Sequence, residues 1–254
     1  MRLTVLGRSG GYPRPGEACA GYLVEGGDAR LLLDLGYGVV SRLLARWDPR
    51  SIGAVVLSHL HPDHVADFPA FQLALEYAPF PPQRWSARPP VLAPSGAREH
   101  LMAFGPEGEG SRIVGDFDFH VMDGAGSLQL VGFTIRWERV RHAVEAYAVR
   151  LERDGRSLVY TGDTGECEGI ERLAQRADVL LAEATFPERL QEAGAAFVHL
   201  SGLSAGRLAA RAGTRRLLLT HFFPCTDPVE EADAAAAEFG GPVEAVVEGA
   251  TYEI

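Results

Sequence analysis

The chain has 254 residues, 46% hydrophobic and 23% charged, which is enough for a substantial buried core and excludes a disordered or fibrous class. Its formal net charge is −10, from 34 acidic and 24 basic residues, so a basic surface for non-specific nucleic-acid binding is disfavoured. Every basic residue is arginine, which excludes Schiff-base chemistry and a lysine nucleophile.

The chain opens on a short strand-like run, Leu3 to Leu6, without the layout of a signal peptide. Further strands are expected at Gly21 to Glu25, Arg30 to Leu33 and Ala54 to Leu57, then at Leu128 to Arg136, Tyr147 to Glu152 and Ser157 to Tyr160. The last are Val179 to Ala182, Arg216 to Thr220 and Glu244 to Val247. Helices are expected at Val39 to Arg46, Phe68 to Tyr77, Ala97 to Ala103, Gly169 to Gln175, Ser201 to Ala212 and Val229 to Glu238. Asp227-Pro228 caps the final helix.

Strands and helices mixed along the whole length imply an α/β architecture, sheets covered by helices. No linker divides the chain, so one domain over 1–254 is expected. A weak internal echo, apolar runs ending in ligand-type residues in both halves, fits two similar βα halves facing each other. Three connections read as loops: Gly7 to Gly16, Gly105 to Asp116, and the proline-rich Pro79 to Pro90 around Trp85. The first and last could be plain surface connections, substrate walls, lids or subunit contacts. Cys19, Cys167 and Cys225 are odd in number and lack a Cys-x-x-Cys spacing, which argues for buried thiols in a reducing compartment. No segment is long enough to span a membrane, so a cytoplasmic protein is expected.

Three apolar runs end at residues that bind metals. AVVLS leads to His59, SLVYTG to Asp163 and RLLLT to His221. Ligands of open α/β sheets gather at the carboxyl ends of strands, which is where these residues fall. The segment His59-Leu60-His61-Pro62-Asp63-His64 packs four ligand-type residues into six positions. An extended chain puts His59 and His61 on one side, and Pro62 favours a turn that sends Asp63 and His64 elsewhere. One loop can thus serve two metal ions through nitrogen and oxygen donors, a set that suits Zn²⁺, with Mn²⁺ or Fe²⁺ as alternatives.

This segment resembles the His-x-His-x-Asp-His signature of the metallo-β-lactamase superfamily. The resemblance runs over essentially the whole chain and implies a four-layer αβ/βα sandwich of two mixed sheets with helices outside. It also implies two divalent metal ions. His59, His61, His142 and Asp163 would hold the first, and Asp63, His64, Asp163 and His221 the second. Taken singly, His142 reads as a strand-end histidine, Asp163 as a turn residue and His221 as a core histidine; their order supports the ligand reading.

Glu183 and His199 resemble a Glu and a His of the tRNA 3′-processing endonucleases and related phosphodiesterases of that superfamily. There the histidine, oriented by the glutamate, assists the departing oxygen, as phosphodiester cleavage requires. Alternatively, Glu183 ends a strand and His199 precedes a helix. The match has gaps. Ala182 stands where those enzymes have a histidine, no long tRNA-gripping arm follows Asp163, and Arg14-Pro15-Gly16-Glu17 lacks the expected lysine or asparagine. The resemblance therefore implies phosphodiester hydrolysis by a hydroxide held between two metals and oriented by Asp63. It implies a small anionic substrate rather than tRNA, and a homodimer by analogy. The competing readings are a tRNA 3′ endonuclease, a hydrolase of a small ester, lactone or thioester, and a metal-binding module with little turnover. Asp34 and Asp67 could hydrogen-bond ligand histidines from behind, or be a strand-end turn and a helix start. His100 and His120 read as surface residues.

Overall fold

Alternating side chains along each strand sort the apolar residues into three layers. The computed structural model describes residues 1–77, 89–105, 110–115, 117–191 and 198–254. The first half contains β1 (Arg2–Gly7), β2 (Gly21–Gly26), β3 (Ala29–Leu33), α1 (Val39–Leu44), β4 (Ala54–Val56), α2 (Pro62–Val65) and α3 (Phe68–Tyr77). It ends with β5 (Pro90–Ala93), α4 (Ala97–Met102), α5 (Gly110–Gly115) and β6 (Asp118–Val121). The second half starts with β7 (Gly126–Leu130), β8 (Phe133–Arg139), β9 (Tyr147–Arg153), β10 (Arg156–Tyr160), α6 (Glu168–Ala174) and β11 (Val179–Glu183). Then come α7 (Glu188–Gln191), α8 (Gly202–Ala212), β12 (Arg216–Thr220), α9 (Pro228–Phe239), β13 (Val243–Ala245) and β14 (Thr251–Glu253).

Two seven-stranded mixed sheets result, in the orders β14-β1-β2-β3-β4-β5-β6 and β7-β8-β9-β10-β11-β12-β13. Both follow one plan. Four strands pair antiparallel, and the fourth then begins a parallel series, β3-β4-β5-β6 in one sheet and β10-β11-β12-β13 in the other. The internal echo in the sequence corresponds to these matching halves. The central layer lies between the sheets, where Tyr22, Val24 and Leu33 meet Phe133, Val149 and Tyr160. The outer faces, with Leu23, Leu32 and Val55 on one and Val159, Leu180 and Leu217 on the other, pack against helices. This is the expected four-layer sandwich.

Several expectations change in detail. The single strand expected from Leu128 to Arg136 is a hairpin, because the chain turns at Val131 (φ 45°) and Gly132 (φ 83°) inside an apolar run. Periodicity does not register a turn whose first residue is valine. The loop expected from Gly105 to Asp116 contains α5, and β5, β6 and β14 are additional strands. Pro62 opens the short helix α2 instead of a simple turn, with extended His61 as its N-cap. The Asp227 carboxylate accepts from the Val229 amide at 2.9 Å and caps α9 as expected. Most of the loop 79–90, including Trp85, lies outside the described residues. The three cysteines are free; Cys19 is buried, and burial pushes its thiol up to about 12, whereas Cys167 is half-buried and Cys225 exposed, which corrects the expectation of buried thiols for those two. Among the described residues, no helix is long and apolar enough to cross a membrane.

Two buried tyrosines lock the sheets together beneath the strand ends. Tyr160 of the second sheet donates to the Asp34 Oδ2 of the first at 2.7 Å. Tyr22 of the first sheet meets the Thr220 hydroxyl of the second at 2.8 Å, and the two rings are 5.1 Å apart. Tyr160→Phe removes one buried hydrogen bond to a carboxylate, so we expect a loss of about 1–3 kcal/mol in denaturant unfolding. An unchanged midpoint would contradict this lock.

Candidate metal centre

The site forms at the carboxyl ends of β3, β4, β10, β11 and β12. Strand β4 ends just before Ser58, and the following loop and α2 carry His59, His61, Asp63 and His64. His142 comes from the β8–β9 connection, Asp163 follows β10, and His221 follows β12. Within each of two groups, His59-His61-His142-Asp163 and Asp63-His64-His221, the possible ligand atoms lie within 4.8 Å of one another.

Asp163 stands between the groups. Its Oδ2 is 3.8 Å from His59 Nε2 and 4.0 Å from His142 Nε2. Its Oδ1 is 3.3 Å from both His64 Nε2 and His221 Nε2. That oxygen is buried and has no hydrogen-bond partner. Elsewhere nitrogen faces nitrogen: His59 Nε2 is 3.0 Å from His61 Nδ1, and His64 Nε2 is 2.9 Å from His221 Nε2. His142 Nε2 lies 3.1 Å from the same His61 nitrogen.

The partners behind four of these rings decide which nitrogen is bare. His142 Nδ1 donates to the Val198 carbonyl at 3.0 Å, and His64 Nδ1 donates to Asp34 Oδ2 at 2.8 Å. The Ser58 hydroxyl donates to Asp34 Oδ2 and therefore accepts from His59 Nδ1 at 3.0 Å. The Thr185 hydroxyl donates to Glu183 Oε2 and accepts from His221 Nδ1 at 2.8 Å. In its neutral form each ring thus carries its proton on Nδ1 and turns an Nε2 lone pair toward the cluster. Bare nitrogens converging on an unpartnered carboxylate oxygen fit divalent cations, which would satisfy every one of these atoms.

Charge leads to the same fit. Burial lowers the His64 pKa, but Asp163, Asp63 and Asp34 outweigh it and hold the ring well above the usual histidine range. Burial and the neighbouring His64 push His59 well below that range. Burial raises Asp163, but His221, His64 and His59 outweigh it and hold this carboxyl well below the usual range. The carboxylates call for positive charge, and a metal would supply it without protonating ligand nitrogens.

A family model described as the beta-lactamase superfamily domain matches residues 16–222. The chain belongs to this superfamily. It is 38% identical over 258 residues to an uncharacterized protein of Mycobacterium tuberculosis, covering 100% of this chain and 92% of the relative. It is 31% identical over 255 residues to the probable metallo-hydrolase YhfI of Bacillus subtilis, covering 100% of both chains. The crystal structure of YhfI superimposes with a TM-score of 0.86 over 99% of this chain and 98% of the other, at 29% identity. Ribonuclease Z of Mycobacterium bovis is 30% identical over 268 residues, 96% of this chain and 95% of its own. The protein is accordingly a metallo-hydrolase of the β-lactamase superfamily, with a His/Asp cluster suited to divalent metal.

Other candidates find their places. Glu183 is fully buried; its oxygens lie 3.0 and 3.3 Å from His199 Nδ1, and its Oε1 also accepts from the Thr164 amide. His199 Nδ1 is 3.9 Å from Asp163 Oδ2, so this pair borders the cluster. Asp34 accepts from the Ser58 amide, the Ser58 and Tyr160 hydroxyls and His64, which makes it a support for the histidines. Asp67 is a correction to the reading of a support for a ligand histidine. Its carboxylate accepts from the Val40 amide at 2.9 Å and caps α1, while its carbonyl accepts from Phe71 at the start of α3. His100 is exposed, and His120 lies on β6 with Asp118 at 3.3 Å.

The loop Gly7 to Gly16 sits on the cluster. The Gly11 amide donates to Asp63 Oδ2 at 2.6 Å, and a Cβ at Gly10 would come within 2.8 Å of the His221 ring. The run Gly10-Gly11 was the available signal, although it could not name the partners. Ser58 and Thr185 were also missed as supports, since hydroxyls next to ligands carry no spacing rule. Asp34 (φ 59°) and His221 (φ 57°) are left-handed at matching ends of β3 and β12, a strained backbone for non-glycine residues. Because Asp34 fixes His64 directly and His59 through Ser58, Asp34→Asn should weaken metal binding by about 10- to 100-fold in a chelator competition titration. Unchanged affinity would remove Asp34 from the support of the site.

Proposed function

We propose that the protein is a two-metal phosphodiesterase acting on a small anionic substrate. In this reading His59, His61, His142 and Asp163 hold one cation, and Asp63, His64, Asp163 and His221 the other. The nitrogen and oxygen donor set favours Zn²⁺. When bound, two such cations supply an activated water and a Lewis acid for the phosphoryl oxygen. The Gly11 amide aims Asp63, whose remaining lone pairs would orient the attacking water.

The observation that carries the phosphodiester reading is the Glu183–His199 pair beside Asp163. Burial lowers the His199 pKa, but the Glu183 charge and hydrogen bond, with Asp163, outweigh it and raise the ring to about 9. His199 is therefore a proton donor at neutral pH. With Nδ1 committed to Glu183, its Nε2 offers the proton to a departing oxygen. A lactam or activated thioester has less need of such an acid than a phosphodiester with a poor leaving group. Similarity to a ribonuclease supports a phosphodiester bond, whereas the net charge of −10 favours a small substrate over tRNA.

Hydrolysis of bis-p-nitrophenyl phosphate should be abolished by chelation and restored by Zn²⁺. Thioester or lactam hydrolysis without diester cleavage would overturn the assignment and leave the metal cluster standing. His199→Ala should lower kcat by about 10²- to 10⁴-fold with an alkyl leaving group and much less with p-nitrophenolate, which departs without a proton. Glu183→Gln removes the charge that raises His199, so the fall in kcat/KM on the alkaline side should begin at lower pH than in the parent enzyme. A pH profile that does not move would separate Glu183 from proton donation.

A further inference from the structure

His142 reaches the cluster on the connection 140–146 between β8 and β9. At the base of this connection the Val140 amide donates to the Ala146 carbonyl at 3.0 Å. Toward the second sheet, the Arg141 carbonyl accepts from the Gly165 amide at 2.8 Å, and His142 Nδ1 donates to the Val198 carbonyl. Arg141, Ala143 and Val144 are exposed, so burial does little to fix the chain around the ring. The histidines that His142 has to meet belong to the other sheet. His61 Nδ1 lies 3.1 Å from His142 Nε2, and His61 and His59 both follow β4.

The link to that sheet is made by Glu145, three residues after His142. Its Oε2 accepts from the Ser95 hydroxyl at 2.5 Å. Its Oε1 accepts from the Tyr147 hydroxyl at 2.8 Å and from the Ser95 amide at 3.4 Å. Ser95 follows β5, which pairs in parallel with β4, and the Leu57 amide donates to the Leu92 carbonyl at 2.9 Å. Ser95 and His59 therefore stand at the ends of adjacent strands. Ser95 is itself set by its neighbours, Pro94 and the left-handed Gly96 (φ 71°), which is the N-cap of α4. Burial raises the Glu145 pKa, but the bonds from Ser95 and Tyr147 outweigh it and hold the carboxyl below the usual range. Both side-chain bonds are thus charge-assisted, the stronger kind.

We propose that Glu145 is a positioning residue for the first cation: its carboxylate straps the His142 connection to Ser95 and so sets how far His142 stands from His59 and His61. The proposal rests on reading the cluster as two cation sites and adds what holds one of them together across the sheets. Ligand distances in a metal site are held to within about 0.2 Å, so a connection free to swing by more than that costs affinity. Asp63, His64 and His221 lie on other segments, so the strap acts on one cation far more than on the other.

The test is a titration of the full-length, metal-free protein with Zn²⁺ against a chromogenic chelator. His142→Ala identifies the binding step to which His142 contributes. Glu145→Ala should weaken that same step by about tenfold, the low end for a partner behind a ligand, and leave the other step nearly unchanged. In the His142→Ala background Glu145→Ala should cost nothing further, because the strap acts through His142. Ser95→Ala approaches the same contact without altering the His142 connection. It should weaken the same step, and the double variant Ser95→Ala, Glu145→Ala should lose no more than Glu145→Ala alone. If Glu145→Ala does not fold, as judged by circular dichroism, Ser95→Ala with and without His142→Ala decides. Unchanged affinities, equal losses at both steps, or a loss that persists without His142 overturn the strap. A parent protein that binds no Zn²⁺ overturns the cation sites themselves, and the strap with them.

Discussion

Asp163 places a buried negative charge where one oxygen meets no donor and where imidazole nitrogens converge from three directions. An isolated carboxylate in such a place is costly, and lone pairs facing one another at about 3 Å add to the cost. A bound divalent cation would relieve that cost. The matching halves bring their strand ends together at one crevice, so that each sheet contributes candidate ligands to both sides of the same aspartate.

Behind the ligands stand two further carboxylates, one from each sheet. Asp34, at the end of β3, orients His64 directly and His59 through Ser58. Glu183, at the end of β11, orients His199 directly and His221 through Thr185. The two halves thus solve the same problem in the same way: a buried acid accepts from a hydroxyl, and the hydroxyl accepts from a ring. Tyr160 joins this support to the core between the sheets by donating to Asp34, so the packing of the sandwich and the aim of the histidines depend on each other. Inside a low-dielectric layer such fully satisfied networks are stiff, which suits a site that must hold its geometry.

The asymmetry lies in what each acid serves. The histidines that Asp34 supports, His64 and His59, both face the cluster. Glu183 also serves His199, which lies beside the cluster and whose pKa the Glu183 charge raises. This division of labour sets Glu183 apart from Asp34 and joins His199 to the rim of the cluster.

Much of this was legible in the chain itself. The six-residue run from His59 to His64 has a spacing that few other uses explain, and an apolar run before each of His59, Asp163 and His221 placed them at strand ends. Alternation and caps located most helices and strands, because those signals are local. The partners behind the ligands were not legible. Asp34 is 30 residues before His64, and Thr185 is 36 before His221, and no rule of spacing connects a hydroxyl to a ring across two strands. The hairpin turn at Val131 was hidden because it lies inside an apolar run, and Asp67 was ambiguous because an aspartate caps a helix as readily as it supports a histidine. The sequence by itself determined the ligand types, their order and the layered fold, since these follow from residue chemistry and periodicity. Only the tertiary structure decided which nitrogen each ring turns inward and which glycine amide aims Asp63. Both depend on the close approach of segments far apart in the chain.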